Sequence, residues 1–311
     1  MRVLVTGGAG FIGSHLVDRL LSEGHRVRVL DDFSTGKPEN LPRQHEALVI
    51  QRGDVGDYAA VEQAMQGIHW VFHEAAIASV PRTVADPLAG QRTNYQGTVH
   101  VLEAARRQGV KRVVFAASAA AYGDLPGLPK EEDMPVKPLS PYAVDKLASE
   151  YACQVYARLY GLETVCLRYF NVFGPRQDPA SPYSGVISIF AERLAHAERP
   201  TIFGDGEQTR DFVFVADVVE ANLRAAQAPG ASGRVINVAT GNKVTLNGLL
   251  QKMSALLGQP FAPIYTEARD GDILDSWASI ACARELLGWQ PQNSLEAGLR
   301  QLLDFTTILQ D

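Results

Sequence analysis

Glycines at positions 7, 10 and 13 lie between a short apolar run and a helical pattern, and this placement narrows the folds open to the chain more than any other feature. Arg2-Val-Leu-Val-Thr6 reads as a buried strand, Gly7-Gly-Ala-Gly10-Phe11-Ile12-Gly13 as a tight turn, and Ser14 to Ser22 as a helix. Glycine there permits the turn, lets backbone N–H groups approach a pyrophosphate and lets the helix pack close to the strand. The helix N-terminus adds partial positive charge. Glycine turns also occur with no ligand, so the next strand matters. Arg26-Val-Arg-Val-Leu-Asp31-Asp32-Phe33 ends in carboxylates about 18 residues beyond the last glycine, where an acid accepts hydrogen bonds from ribose hydroxyls and repels a 2′-phosphate. The dinucleotide expected is therefore NAD rather than NADP.

Four further strand patterns follow. Ala47-Leu-Val-Ile-Gln51 leads into Gly53-Asp54-Val55, where Asp54 can take an adenine amino group or simply close a turn. Ile68-His-Trp-Val-Phe-His73 leads into Glu74-Ala75-Ala76-Ile-Ala-Ser79-Val80, and lone histidines in such a strand are read as structural groups. A long helical pattern from Thr83 to Gln108, with Asn94 early in it, leads to a fifth strand, Arg112 to Ser118. A Gly/Pro-rich segment from Gly123 to Pro141 connects it to another helix, and a sixth strand runs from Thr164 to Asn171. Strand alternating with helix predicts an α/β chain with a Rossmann-type doubly wound parallel sheet, whose strand C-termini open onto one crevice. The pattern loosens after Asn171. The expected division is a dinucleotide-binding domain over residues 1–170 and a smaller C-terminal substrate-binding lobe over 171–311. It is interleaved, because a strand near 235–239 is expected to rejoin the first sheet.

The chemistry is expected around the fifth strand. Arg112-Val-Val-Phe-Ala-Ala-Ser118 ends on a hydroxyl, and Ser140-Pro-Tyr142-Ala-Val-Asp-Lys146 is a capped helix start with a phenol and an ammonium four residues apart, hence on one face. A tyrosine titrates near pH ~10 unless a neighbouring cation stabilises its phenolate. Tyr142 and Lys146 form a candidate proton-transfer pair, with Ser118 as relay. A core tyrosine beside a surface lysine is the bland alternative, and the surrounding pattern favours the pair. In the second lobe, Arg210 and Arg269 lie on separate extended or turn segments, and two such arginines can clamp a diphosphate.

Charge limits the ligands. A net charge of −6 offers no basic surface to nucleic acid, so an anionic substrate must be held by local arginines and helix N-termini. Cys153, Cys166 and Cys282 are scattered without metal-ligand spacing, which suits free thiols in a cytoplasmic protein and no metal site. No apolar run reaches the ~18 residues of a membrane span, and the chain begins directly with a strand, so neither a span nor a signal peptide is expected.

Together, Gly7-Gly-Ala-Gly-Phe-Ile-Gly13, Ser118 with Tyr122-Gly123, Tyr142-Ala-Val-Asp-Lys146, Leu167-Arg-Tyr-Phe-Asn171, Arg210-Asp-Phe212 and Gly271-Asp272 resemble the extended short-chain dehydrogenase/reductase superfamily. Within it they resemble the nucleotide-sugar 4-epimerases that act on UDP-glucose or UDP-N-acetylglucosamine. The resemblance implies a resident NAD, lined by Gly7, Gly10, Phe11, Ile12, Gly13, Asp31, Asp32, Asp54, Val55, Ala75, Ala76, Asn94 and Tyr169, with Tyr142 and Lys146 at its reactive end. It implies that Tyr142, helped by Ser118, moves the proton of the sugar 4-hydroxyl, that a 4-keto sugar turns over, and that hydride returns to its other face. Lys146 would hold the nicotinamide ribose and depress the pKa of Tyr142. Ser79, Ser118, Tyr142, Asn171, Arg176, Arg210, Arg269, Asp272 and Ser276 would bind the UDP-sugar.

Related dehydratases and decarboxylases carry an acid just after the fifth-strand hydroxyl, whereas Ala119 to Ala121 follow Ser118 here, which favours epimerisation. Ser276 occupies a position resembling a size gate, and a small residue there leaves room for an acetamide; a plain turn role is the alternative. UDP-N-acetylglucosamine and its 4-epimer are thus the expected pair, with UDP-glucose and UDP-galactose beside them. The resemblance also implies a homodimer built on helices near 93–108 and 142–160. The competing readings are a dehydratase, decarboxylase or reductase of the same superfamily, and a non-catalytic NAD-binding protein, although such proteins usually lose the tyrosine or lysine.

Overall fold

The computed structural model describes residues 1–178, 185–268 and 273–308. The chain begins with β1 (Arg2–Thr6), α1 (Phe11–Ser22), β2 (Arg26–Asp31), β3 (Leu48–Arg52), α2 (Tyr58–Met65) and β4 (Trp70–His73). Then come α3 (Val80–Ala85), α4 (Pro87–Gln91), α5 (Gly97–Arg107), β5 (Arg112–Ser118), α6 (Pro141–Tyr160) and β6 (Glu163–Tyr169). Next are β7 (Asn171–Phe173), α7 (Val186–Ala195), β8 (Thr201–Phe203), β9 (Thr209–Arg210), β10 (Phe212–Phe214), α8 (Val215–Gln227) and β11 (Arg234–Val238). The remainder is β12 (Val244–Thr245), α9 (Leu246–Leu256), β13 (Ile264–Thr266), β14 (Asp275–Ser276), α10 (Ala281–Leu287) and α11 (Leu295–Ile308).

Seven strands pair in parallel in the order β11-β6-β5-β4-β1-β2-β3, the doubly wound sheet expected from the alternation. The inner strands β1, β4 and β5 are largely apolar because helices bury both faces of the sheet. α1, α8 and α10 cover one face with Leu16, Leu20, Val218 and Leu287, and α2, α5 and α6 cover the other with Val61, Met65, Leu102 and Cys153. Strand order reverses between β1 and β4, whose register pairs Thr6 with His73, so the loops after these strands face each other across the crevice where such sheets bind ligands. A second cluster of small sheets joins β7 to β10, β8 to β13, and β9 to β12 and β14; α7, α9 and α11 pack around Phe173, Phe214, Leu250 and Leu299 there. No helix among the described residues is long and apolar enough to cross a membrane.

Two segments differ from the sequence reading. The long helix expected over Thr83 to Gln108 is broken in two places. Asp86 is held extended by the proline that follows it and caps α4 by accepting from Ala89 N at 3.0 Å; further on, Arg92 to Gln96 form a π-turn that leads into α5. The single strand expected from Thr164 to Asn171 divides at Phe170, whose N–H donates to Val238 O at 3.1 Å, so that β6 stays in the main sheet while β7 pairs with β10.

Between α6 and β6 the sheet buries an ion pair. Arg168 Nε and Nη2 donate to Glu150 at 2.9 and 2.8 Å, and the guanidinium lies 4.6 Å above the Tyr122 ring. Both side chains are almost wholly buried. Glu150→Ala would leave the guanidinium without its counter-charge, and we expect a loss of about 3–5 kcal/mol, measured by urea denaturation. Replacing both residues with apolar ones of similar volume should cost much less.

Candidate active site

The turn after β1 owes its shape to close backbone approaches. Gly7 has φ +68° and donates to Leu30 O at 2.8 Å, and a Cβ on it would lie 2.7 Å from Ala75 N. A Cβ on Gly13 would lie 2.2 Å from Gly7 O. Gly10 caps α1 with no side chain, which leaves the first-turn N–H groups of Phe11 and Ile12 facing the crevice end of the sheet without a side-chain partner. Such an N-terminus suits a pyrophosphate. Asp31 locks the turn to β2, its Oδ2 accepting from Ala9 N at 2.9 Å and its Oδ1 from Phe33 N at 2.8 Å. Burial pushes this carboxyl upward while the two N–H bonds pull it back. Each carboxylate oxygen can accept more than one bond, so Asp31 keeps acceptor capacity for ribose hydroxyls. The residues at this turn fit a dinucleotide.

Neighbouring acids are more committed. Asp32 accepts from Ser34 N and Oγ at 2.8 and 2.7 Å on the outer side of the turn. Asp54 accepts from Gly56 N at 2.7 Å through Oδ1 and pairs with Arg92 at 2.7 Å through Oδ2, with the buried Val55 beside it. Both oxygens of Asp54 thus close a turn and an ion pair. Asn94, completely buried in the π-turn, accepts from Ile77 N at 2.8 Å and donates to Ile77 O at 3.3 Å. It fixes the loop that carries Ala75 and Ala76. Ser79 spends its hydroxyl as the cap of α3, accepting from Arg82 N at 3.1 Å.

Tyr142 and Lys146 occupy the first turns of α6, where Ser140 accepts from Ala143 N at 3.2 Å and Pro141 takes the first helical position. Ser118, at the end of β5, accepts from Ala120 N at 3.2 Å and interacts with the Tyr142 phenol. Lys146 Nζ is buried, donates to Ala116 O at 2.7 Å and sits 4.9 Å over the Phe115 ring. The structure therefore brings together all three groups expected to carry the chemistry. Its electrostatics differ from the simple expectation that Lys146 lowers the phenol. Tyr142 is pushed up by burial, pulled down by Ser118, and raised further by the charge of Glu74. The reason lies in the lysine's own setting: burial lowers Lys146 to about 8, and its ammonium is turned onto the β5 carbonyl.

Sequence reasoning passed over Glu74. Its Oε1 accepts from Tyr169 OH at 2.9 Å, and that hydroxyl accepts from Asn222 Nδ2 at 2.7 Å. Burial pushes the carboxyl up to about 7, against the pull of Tyr169 and Lys146. The available signal was an acid placed directly after a fully apolar strand, at the end where ligands bind.

On the second-lobe side, Asn171 donates to Asp211 O through both its backbone N and Nδ2, at 3.1 and 3.0 Å. Arg210 Nη1 donates to Thr209 O at 2.9 Å and to Leu274 O at 3.3 Å, and the pairing of β14 with β9 sets Ser276 in register with it. Arg176 is drawn elsewhere: it pairs with Asp18 of α1 at 2.7 Å, while His15 Nε2 donates to Pro175 O at 2.9 Å. Arg269 and Asp272 lie outside the described residues.

A parallel doubly wound sheet, a glycine turn matched to an acid on β2, and a Ser-Tyr-Lys set on β5 and α6 define an extended short-chain dehydrogenase/reductase. The family model of the NAD dependent epimerase/dehydratase family matches residues 3–239, and the chain belongs to that family as an NAD-dependent enzyme. It is 43% identical over 312 residues to the UDP-glucose 4-epimerase of Mycolicibacterium smegmatis, covering 98% of each chain. Two solved structures superpose with a TM-score of 0.95. One is the UDP-glucose 4-epimerase of Thermotoga maritima with UDP-glucose, 39% identical and covering 100% of both chains. The other is the UDP-N-acetylglucosamine 4-epimerase of Methanobrevibacter ruminantium in complex with UDP-N-acetylmuramic acid, 40% identical and covering 100% of this chain and 99% of that one.

Proposed function

We propose that the chain interconverts UDP-N-acetylglucosamine and UDP-N-acetylgalactosamine at carbon 4 through a transient 4-keto sugar, and acts on UDP-glucose and UDP-galactose as well. The observation that carries this reading is the meeting of Ser118, Tyr142 and Lys146 at one strand end, followed by Ala119 to Ala121 and no acid to drive elimination. Residues 1–170 hold the cofactor at the glycine turn and Asp31, with β11 completing their sheet, and residues 171–311 supply the sugar-nucleotide lobe. NAD, when bound, supplies the hydride acceptor and donor at carbon 4 within one turnover. Tyr142 as phenolate takes the proton of the 4-hydroxyl, Ser118 bridges phenol and sugar oxygen and favours that ionisation, and Lys146 orients the cofactor ribose. Arg210 and Arg269 clamp the diphosphate, and Asn171 and Asp272 bind the UDP-sugar beside them.

We expect a proton NMR time course with UDP-N-acetylglucosamine, and no added NAD, to show the 4-epimer. Tyr142→Phe should slow it by about 10²–10⁴-fold. A 4-keto product that accumulates would move the assignment to a dehydratase, and unchanged sugar would refute epimerisation of this substrate. On this reading the small Ser276, in register with Arg210, leaves room for the acetamide. Ser276→Tyr should reduce turnover of the N-acetylated pair at least about tenfold, roughly 1.4 kcal/mol, while sparing UDP-glucose; equal loss on both would count against the size gate.

A homodimer in the cytoplasm completes the proposal. Val144, Tyr151, Val155 and Leu159 form an exposed apolar stripe along α6, and Tyr160 stacks under Arg106 of α5 at 5.1 Å. Leu159, 65% exposed, stands in that stripe. Leu159→Glu should convert the dimer to a monomer in light scattering, and a variant that keeps the wild-type mass would place the interface elsewhere.

A further inference from the structure

Glu74 is a carboxyl that faces both members of the candidate proton-transfer pair, whereas Asp145 and Glu150 of α6 bear on Lys146 and not on Tyr142, and it has no part in the reaction as described. It follows β4 at the switch point, with the Thr6 hydroxyl holding the next N–H, that of Ala75, at 3.3 Å. Its hydrogen bond is directional. Tyr169 OH accepts from Asn222 Nδ2, so its single proton goes to Glu74 Oε1. The titratable groups facing the carboxyl are Tyr169 from β6 and Lys146 and Tyr142 from α6. His73, its neighbour in β4, is bonded at both ring nitrogens to Thr6 and Thr98, and Asn222 is the polar group that reaches toward it from α8.

On the reading of Tyr142 as the proton-transferring group, we propose that Glu74 is a positioning charge that sets the pH range in which the Tyr142–Lys146 pair works. A carboxylate raises the pKa of every acid and base it faces. Ionised Glu74 thus holds a proton on both members: it opposes the Tyr142 phenolate and preserves the Lys146 ammonium, countering the burial that lowers the lysine to about 8. Burial pushes the Glu74 carboxyl up to about 7, so its charge varies with pH alongside the pair it faces. The three groups titrate as a coupled set, and the limbs of a pH profile belong to the set.

The sign follows. Glu74→Gln keeps an Oε1 to accept from Tyr169 and removes only the charge. With that charge gone the phenol ionises at lower pH and the ammonium is lost at lower pH, so both limbs of the kcat/KM profile should move toward acid, by about half a unit or more. A defect that was merely structural would lower the profile without displacing both limbs in one direction. The companion measurement is a titration of tyrosine labelled with 13C at Cζ, with the Tyr142 resonance assigned by its absence in Tyr142→Phe. Its midpoint should fall in Glu74→Gln. Limbs and midpoint that stay in place, or move toward alkali, while Tyr142→Phe is inactive would overturn the role of Glu74. Full activity in Tyr142→Phe would instead overturn the reading of Tyr142, an outcome the labelled titration of Glu74→Gln keeps separate.

Discussion

A buried run of hydrogen bonds fixes the floor of the crevice and the loop after β4 that lies on it. Burial holds His73 neutral, pushing it down to about 3, so one ring nitrogen donates and the other accepts. Thr98 Oγ1 gives its proton to Asn94 O at 2.6 Å and must therefore accept from His73 Nε2 at 3.0 Å. Nδ1 then accepts from Thr6 Oγ1 at 2.7 Å, which leaves the Thr6 oxygen to accept from Ala75 N. The tautomer is dictated by this network. One line of bonds thus links β1, β4 and the π-turn to the loop that carries Glu74, Ala75 and Ala76.

That floor explains why small residues crowd the switch point. The glycine turn and the loop after β4 approach so closely that a methyl group on Gly7 would strike the Ala75 backbone. Above the contact, the end of β5 offers Ser118 and the first turn of α6 offers Tyr142, and the parallel register of β4, β5 and β6 brings both next to Glu74 and Tyr169. The candidate reacting groups sit on a strand end and the first turns of a helix, and the candidate sugar-nucleotide residues Asn171, Arg210 and Ser276 lie on short strands of the second cluster.

Much of this was legible in the sequence because the signals are local. Strand, glycine turn, helix and acid lie within the first 32 residues, and the Tyr142–Lys146 spacing is fixed by one turn of helix. What was not legible depends on partners far apart in the chain. Glu74 acquires its importance from Tyr169, 95 positions away, and Asp54 is neutralised by Arg92, 38 positions away. Arg176 carries the composition of a phosphate ligand, yet it is bonded to an aspartate on the first helix, 158 positions earlier by residue number (176 − 18). Pro87 was the local signal for the break in the helix before α5, and the reading of Thr83 to Gln108 as one helix passed over it; the π-turn had no signal of its own, since it serves Asn94's bonds to Ile77.

The place of β11 has a consequence for biosynthesis. Its residues 234–238 pair with β6 and close one edge of a sheet whose first strand is residues 2–6. A nascent chain emerging from the ribosome can assemble the strands through β6 early, but the outer edge of β6 keeps its unpaired backbone groups until the intervening lobe segment has also been made. Such an edge invites pairing with other chains. Synthesis of the lobe is therefore a period of aggregation risk that ends only when a late strand returns to the sheet begun by the first residues.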